Sequence, residues 1–186
     1  MRIISGKYRG TKLFTLEGLN TRPTLDRVKE SLFNILNFDL QNAVVLDLFS
    51  GSGALGLEAL SRGAKEAFLC DNSRAAVNII RKNVQKLKLE AFTNIINKDF
   101  EKALQDLHIK NKKFDIIFLD PPYESNFAEI AVKKIIEFEL LTENGIIVLE
   151  TDNIEKVHKN LEGSLIPIYD ERKYGRVHLI FLSRKG

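Results

Sequence analysis

The chain has 186 residues, 44% of them hydrophobic and 28% charged, which suits one compact domain with a real core and no repeats or low-complexity stretches. A formal charge of +3 excludes a protein that coats nucleic acid along its whole length. The lone Cys70 excludes an intrachain disulfide. His108, His158 and His178 lie too far apart for ligand spacing, so no metal is expected, and no apolar run approaches the ~18 residues of a membrane span.

In chain order, residues 2–5 and 11–16 read as two short strands around the glycine-bounded turn Gly6–Gly10. This opening carries Arg2, Lys7, Arg9 and Lys12 and no acid. The far end adds Arg172, Lys173, Arg176, Arg184 and Lys185, while the middle is on balance acidic. Such termini suit either a local patch for a polyanion or solvated strand faces. The stretch "TRPTLDRVKESLFNIL" then predicts a helix entered at Pro23, capped by Thr24, with Leu25, Val28, Leu32, Ile35 and Leu36 on its buried face.

From residue 43, apolar runs alternate with amphipathic segments. The runs are Ala43–Leu48, Glu66–Cys70, Thr93–Asn97, Phe114–Leu119 and Gly145–Leu149, with helices expected near 53–62, 73–88, 100–107 and 127–138. Short continuous apolar runs suit strands covered on both faces, and the alternation suits right-handed crossovers. Leu165–Tyr169 and Val177–Leu182, joined by "DERKYGR", leave no room for a helix and must be antiparallel. The expectation is an open α/β sheet in a single domain, with residues 1–38 as an extension and 39–186 as the core. Cys70, inside an apolar run, reads as packing.

In such sheets ligands bind beyond the carboxyl ends of the strands. There "LDLFSGSGALG" places Gly51, Gly53 and Gly56 at dinucleotide-binding spacing, and Asp71 follows Gly51 by twenty residues, as a ribose-binding acid would. Asp47 divides the possibilities. A carboxylate at this mouth repels a pyrophosphate but can hold an ammonium, directly or through water, and S-adenosylmethionine has an ammonium, a sulfonium and no phosphate. The alternative for Asp47 is a buried acid tied to turn amides. Asp99 and Phe100 either meet an adenine or simply open the next helix.

The most telling stretch is "FDIIFLDPPYES". Asp120-Pro121-Pro122-Tyr123 ends a strand, and its two prolines remove amide donors and present carbonyls. A nucleobase amine is a poor nucleophile because its lone pair is delocalised into the ring. The Asp120 carboxylate and the Pro121 carbonyl can take its hydrogens and free that lone pair for a methyl sulfonium. Tyr123 can stack on the base. A rigid turn is the plainer reading of the same four residues.

"VVLDLFSGSGALGLEAL", "CDNS", "KDF" and "FDIIFLDPPY" resemble the successive motifs of class I S-adenosylmethionine-dependent amino-methyltransferases. "MRIISGKYRGTKL", "TRPTLDRVKESLFNIL" and "KYGRVHLIFL" narrow the resemblance to the bacterial 16S rRNA (guanine(966)-N(2))-methyltransferase family, nearly along the whole chain. The resemblance implies a Rossmann-like sheet of seven strands, mostly parallel with the last antiparallel, helices on both faces, and an N-terminal β-hairpin and helix. It implies that Asp47, Phe49, Ser50, Gly51 and Gly53 surround the methionine end of S-adenosylmethionine, with Asp120 shared between that end and the base. Asp71 and Asn72 would take the ribose, Asp99 and Phe100 the adenine, and Asp120, Pro121, Pro122 and Tyr123 a flipped guanine.

With no separate recognition domain, RNA contacts are expected from Arg2, Lys7, Arg9, Lys12, Arg22, Thr24, Lys173 and Arg176. The implied partner is 16S rRNA or a small-subunit assembly intermediate, met by a cytoplasmic monomer away from any membrane. Three rivals remain: adenine-N6 methylation of RNA or DNA, an NAD-dependent oxidoreductase, and a non-catalytic RNA-binding assembly factor.

Overall fold

The computed structural model describes residues 1–16, 23–122 and 125–184, with only the backbone for residues 23–25. Arg22 and Tyr123, both expected at functional sites, lie outside the described residues, as does the side chain of Thr24.

The sheet has the order β3-β2-β1-β4-β5-β7-β6. Its strands are β1 (Val44–Asp47), β2 (Glu66–Cys70), β3 (Thr93–Ile96), β4 (Phe114–Leu119), β5 (Leu141–Thr151), β6 (Ile168–Tyr174) and β7 (Val177–Ser183). Neighbours among β1 to β5 pair in parallel, and β7 runs antiparallel to both β5 and β6. This is the expected class I methyltransferase sheet, with β7 as its one reversed strand.

Alternation along the strands divides the core. Val45, Ile116, Phe118, Ile146, Val148, Leu179 and Phe181 face one way. Leu46, Leu48, Ile117, Leu119, Ile147, Leu149, Ile180 and Leu182 face the other. On the first face pack α1 (Pro23–Ile35), α2 (Ala54–Ser61) and α3 (Arg74–Leu87); on the second, α4 (Phe100–Ile109), α5 (Phe127–Glu137) and α6 (Ile154–Leu161). Apolar side chains on both faces of each central strand therefore both find a helix layer.

Three expectations are corrected. Helix α1 opens at Pro23, so Thr24 sits within its first turn and cannot be its cap. Strand β6 begins three residues later than the apolar run suggested and includes the charged "DERK" stretch, because it is the sheet's edge and charges suit an edge. The N-terminal hairpin closes, but through a single antiparallel bridge, Arg2 to Lys12, rather than two strands. Other amides of its arms are drawn to side chains: those of Ile4 and Ser5 donate to the Glu58 carboxylate at 2.8 and 3.0 Å, and that of Phe14 to Asn83 Oδ1 at 2.7 Å.

This docking explains α2. "ALGLEALS" is apolar nearly all round, and almost every residue is buried. The sheet covers one side and the hairpin the other. Glu58 sits between them with no exposed surface, also meeting Lys29 at 3.2 Å and Arg62 at 2.8 Å. At the end of α2, Ser61 accepts the Lys7 amide on its carbonyl (2.8 Å), accepts the Tyr8 amide on Oγ, and donates Oγ–H to the Ser5 carbonyl. Gly6 makes this closeness possible: φ is +82°, and a Cβ there would stand 1.9 Å from the Ser61 carbonyl oxygen.

Two glycines of one turn should therefore respond differently. Gly10 has φ +83°, but a Cβ there meets nothing within 4 Å. Gly10→Ala should cost about 1–2 kcal/mol, the strain of a left-handed backbone alone. Gly6→Ala should cost more than about 3 kcal/mol or undock the hairpin, since a backbone clash is added. Urea denaturation of both variants, with proteolysis near residues 6–10, measures the difference; equal losses would refute the docking role.

Candidate active site

Since β1 to β5 are parallel, their carboxyl ends share one edge of the sheet. The register sets Asp47 beside Leu69 and Phe118, Cys70 beside Ile96, and Leu119 beside Leu149. Asp71, Asp120 and Glu150 therefore end their strands around one mouth, with Asp99 entering from the third strand. The antiparallel hairpin of β6 and β7 turns at the same edge, because β6 runs in the direction of β5. Lys173 and Arg176 thus stand at the rim of the mouth.

The turn from β1 into α2 forms its floor. Gly51 and Gly53 have φ of +55° and +80°, which only glycine adopts without strain. The Ser50 amide donates to the Cys70 carbonyl (2.8 Å), Gly51 to Asp71 Oδ2 (2.9 Å), Gly53 to the Ser50 carbonyl (2.7 Å) and Gly56 to Asp47 Oδ2 (3.2 Å). Those four amides are consumed within the protein. A pyrophosphate held at this turn would meet carboxylates. A cationic ligand with a ribose and no phosphate fits better: the walls are acidic, and a Cβ on Gly51 would meet nothing within 4 Å, so the turn has open space. Gly56 serves packing, since its Cβ would come within 2.2 Å of Leu69 Cδ2.

Asp47 is 1% exposed. Burial pushes its carboxyl up to about 6, against the opposing hydrogen bonds from Ser50 and Gly56, with the like charge of Asp71 adding to the rise. The tie to a turn amide, one of the two roles weighed for it, is present. A carboxylate offers about four acceptor positions, of which the Gly56 amide and the Ser50 hydroxyl take two. Asp120 is exposed at the end of β4. Solvent reaches its surface, yet the walls of the mouth strip water from the carboxyl, and Glu150 and then Asp47 add like charge. Its pKa is held well above the usual carboxylate range.

Pro121 is buried and Pro122 exposed. The Pro122 carbonyl accepts from the Ser125 amide (3.1 Å) and hydroxyl (2.6 Å), and Lys156 Nζ in turn bonds the Ser125 carbonyl at 2.7 Å, so Ser125 is tied to the second proline.

Asp71 takes the Gly51 and Ser73 amides on separate oxygens at 2.9 and 2.8 Å. Asn72 is exposed beside it, and Asn97 Nδ2 donates to the carbonyls of both residues at 3.0 and 3.1 Å. Asp99 caps α4 by accepting the Glu101 amide (3.0 Å), the second of its two expected roles, and is exposed. Phe100 is 5% exposed, packed between Phe49 (ring centroids 5.3 Å apart) and Phe127 (5.1 Å). Phe127, 37% exposed, is the member of this cluster with most surface to offer a planar ligand. Burial pushes the Cys70 thiol up to about 12, which keeps it an unreactive packing group at neutral pH.

The expected RNA contacts do not all gather at the mouth. Arg2, Lys7, Arg9 and Lys12 are exposed on the hairpin, whose ends lie at the mouth beside Ser52 while its turn lies against Ser61. Those two points are separated by the eight residues of α2, about 12 Å.

Sequence reasoning missed Phe127, Asn97, Glu150 and Asn83. Asn83 is fully buried on α3; it accepts the Phe14 amide and donates to the carbonyls of Phe14 (3.0 Å) and Ser52 (2.9 Å). A polar residue on the apolar face of α3 was its only sequence signal.

Residues 1–183 match the family described as conserved hypothetical protein 95. The chain is 36% identical, over the full length of both, to a Bacillus subtilis protein named "Putative rRNA methyltransferase YlbH". It is 42% identical over 156 residues, covering 82% of this chain and 79% of the relative, to "Ribosomal RNA small subunit methyltransferase D" of Haemophilus influenzae. Among solved structures, "Putative methyltransferase yhhF" from Escherichia coli superposes with a TM-score of 0.81 at 30% identity, over 99% of this chain and 97% of that one.

Asp47 gives the site a pH signature. With its carboxyl raised from 3.8 to about 6, the folded protein holds a proton that the unfolded chain has lost between those values. Its contribution to stability is fully present below about pH 4 and is lost as pH rises to about 6. Relative to wild type, Asp47→Asn should therefore gain about 1–3 kcal/mol between pH 4 and pH 7. Urea midpoints of both proteins across that range test this, and a constant gap would refute it.

Proposed function

The chain belongs to the conserved hypothetical protein 95 family, and we propose that it methylates the exocyclic N2 amine of a guanine in 16S rRNA, using S-adenosylmethionine. The observation that carries this reading is Asp120-Pro121-Pro122 at the end of β4, in an acid-lined mouth beside a glycine turn.

S-adenosylmethionine supplies an electrophilic methyl group on a sulfonium. The protein's own residues bind and orient. The acidic field of Asp47, Asp71 and Asp120 favours a cation, Asp71 and Asn72 take the ribose hydroxyls, and Asp99 accepts from the adenine amine. The cluster of Phe49, Phe100 and Phe127 supports the adenine ring. At the base, the ionised Asp120 carboxylate and the Pro121 carbonyl accept the two hydrogens of the guanine amine and aim its lone pair at the methyl. Tyr123, next in sequence, stacks on the base. The amine becomes cationic as the new bond forms, and Asp120 stabilises that charge and receives the proton. Proline fixes the backbone beforehand, so little reorganisation is needed at the moment of transfer.

The guanine must leave its stack to enter, which is cheapest in an unpaired segment. Lys12, Lys173 and Arg176 contact phosphates around the mouth and position the strand without reading its sequence. Residues 39–186 form the catalytic core and 1–38 an RNA-contacting extension of one domain. The enzyme acts as a cytoplasmic monomer on the small subunit during assembly.

Incubation with labelled S-adenosylmethionine and unmodified small-subunit particles, followed by nucleoside analysis, should yield N2-methylguanosine. Label in N6-methyladenosine, or none at all, would overturn the assignment. Asp120→Ala should lower the transfer rate by about 10²–10³-fold with cofactor affinity largely kept. Because the Asp120 pKa is raised, the wild-type rate should climb with pH and level off once the carboxyl is ionised; Asp120→Asn should lack that rise.

A further inference from the structure

Between the N-terminal hairpin and α1 lies a cavity of about 390 Å³, on the flank of the molecule rather than at the mouth. That volume falls within the range of small-ligand sites. Its walls carry Arg2 and Arg9 from the hairpin, and Asp26, Arg27 and Glu30 from α1. We propose that this cavity binds one phosphate-bearing nucleotide of an unpaired RNA strand, a few nucleotides from the target base. The inference rests on the proposed RNA substrate and deepens it.

The charges have an order. Arg2 Nε meets Asp26 at 3.4 Å, so that pair is largely matched. Arg9 and Arg27, both exposed, remain as the guanidinium forks for a phosphate, whose geometry such forks fit. Glu30 is an acceptor, suited to a ribose hydroxyl or a base amine and unsuited to a second phosphate. Ile4 gives the wall an apolar face, and Gly10, where a Cβ would meet nothing within 4 Å, leaves room beside it. One phosphate with one sugar or base fits this set better than a bare polyanion track.

The cavity is also held in shape before any ligand arrives. Beneath it Lys29, 5% exposed, donates to the Arg2 carbonyl at 2.5 Å and pairs with Glu58 at 3.2 Å, locking α1 to the hairpin. The Ile3 amide bonds the Thr11 carbonyl, and the Gly10 amide bonds that of Ile3. Binding therefore costs little ordering of the protein. A separation of about 12 Å between the hairpin turn and the mouth spans roughly two to four nucleotides of extended strand, using the ~3.4 Å per strand step of stacked bases as the lower bound.

Arg9→Ala and Arg27→Ala, singly and together, test the assignment, with Arg81→Ala on the exposed side of α3 as control. Affinity for an unpaired RNA oligonucleotide is measured by fluorescence anisotropy between 50 and 200 mM salt, which needs no turnover. The double variant should lower the slope of log affinity against log salt by about 0.7, the value for one phosphate, and each single variant by part of that. Arg81→Ala should change neither slope nor affinity, and affinity for S-adenosylmethionine should stay constant in all three cavity variants. Slopes equal to wild type in the Arg9 and Arg27 variants, from a protein that still methylates, overturn the cavity and spare the proposed activity. Reduced slopes in variants of a protein that never methylates RNA support the cavity and sink the activity instead.

Discussion

Helix α2 is buried from two directions, and the rest of the molecule is arranged to make that possible. On the sheet side, Gly56 lets it lie close to Leu69, where any Cβ would collide. On the outer side, the hairpin covers it, and the one ionisable group on the helix, Glu58, is wholly enclosed. An enclosed carboxylate must be matched, and here two backbone amides, Lys29 and Arg62 share the task. Such a network adds little net stability compared with an apolar core of the same shape, but removing one partner typically costs about 3–5 kcal/mol. What it supplies is register: the hairpin has one position on α2 in which every member of the set is satisfied.

The same helix begins at the ligand mouth, so its burial also fixes the chemistry there. Asp47 holds the Gly56 amide and Asp71 the Gly51 amide, and each carboxylate thereby gains a fixed place from a rigid backbone. The acids collect inside the mouth, while Lys173 and Arg176 and the ends of the hairpin stand around it. A net charge of +3 conceals this separation. An acidic interior within a basic surround suits two ligands of opposite charge meeting at one point, with the anion held outside and the cation within. The raised pKa values of Asp47 and Asp120 are first the cost of taking carboxylates out of water and then of crowding them together.

Much of this was legible in the sequence because it is local. The runs that became β1, β2, β3 and β4 fell within about a residue of the observed strands, since a strand covered on both faces is apolar at every position. The glycine turn and the proline pair announce backbone conformations that few other residues permit. Helix α6 was missed: it has eight residues, and only Val157 and Leu161 are buried, too short a stripe to stand out against its charged neighbours. The start of β6 was misread because an edge strand follows charge rather than hydrophobicity. The hairpin was misread for a different reason. Its true partners, Glu58 and Asn83, are 53 to 69 residues distant, and a side chain that replaces a strand leaves no periodic trace.

Asn83 shows how far that substitution goes. Its carboxamide faces the peptide of Phe14 as a neighbouring strand would, accepting from the amide and donating to the carbonyl. The same nitrogen then donates to the carbonyl of Ser52, between the two glycines of the ligand turn. Neither an aspartate nor a leucine can do this: the first has no donor, and the second leaves three backbone groups unmatched. Each buried group left unpaired costs about 1–3 kcal/mol, more than small adjustments of a loop can recover. The turn and the basic segment are therefore joined through one side chain whose two donors and carbonyl oxygen are all engaged. Displacing one of them means either carrying the other along or breaking buried bonds, so the floor of the ligand mouth and the arm that carries Arg2 and Lys12 are mechanically a single piece.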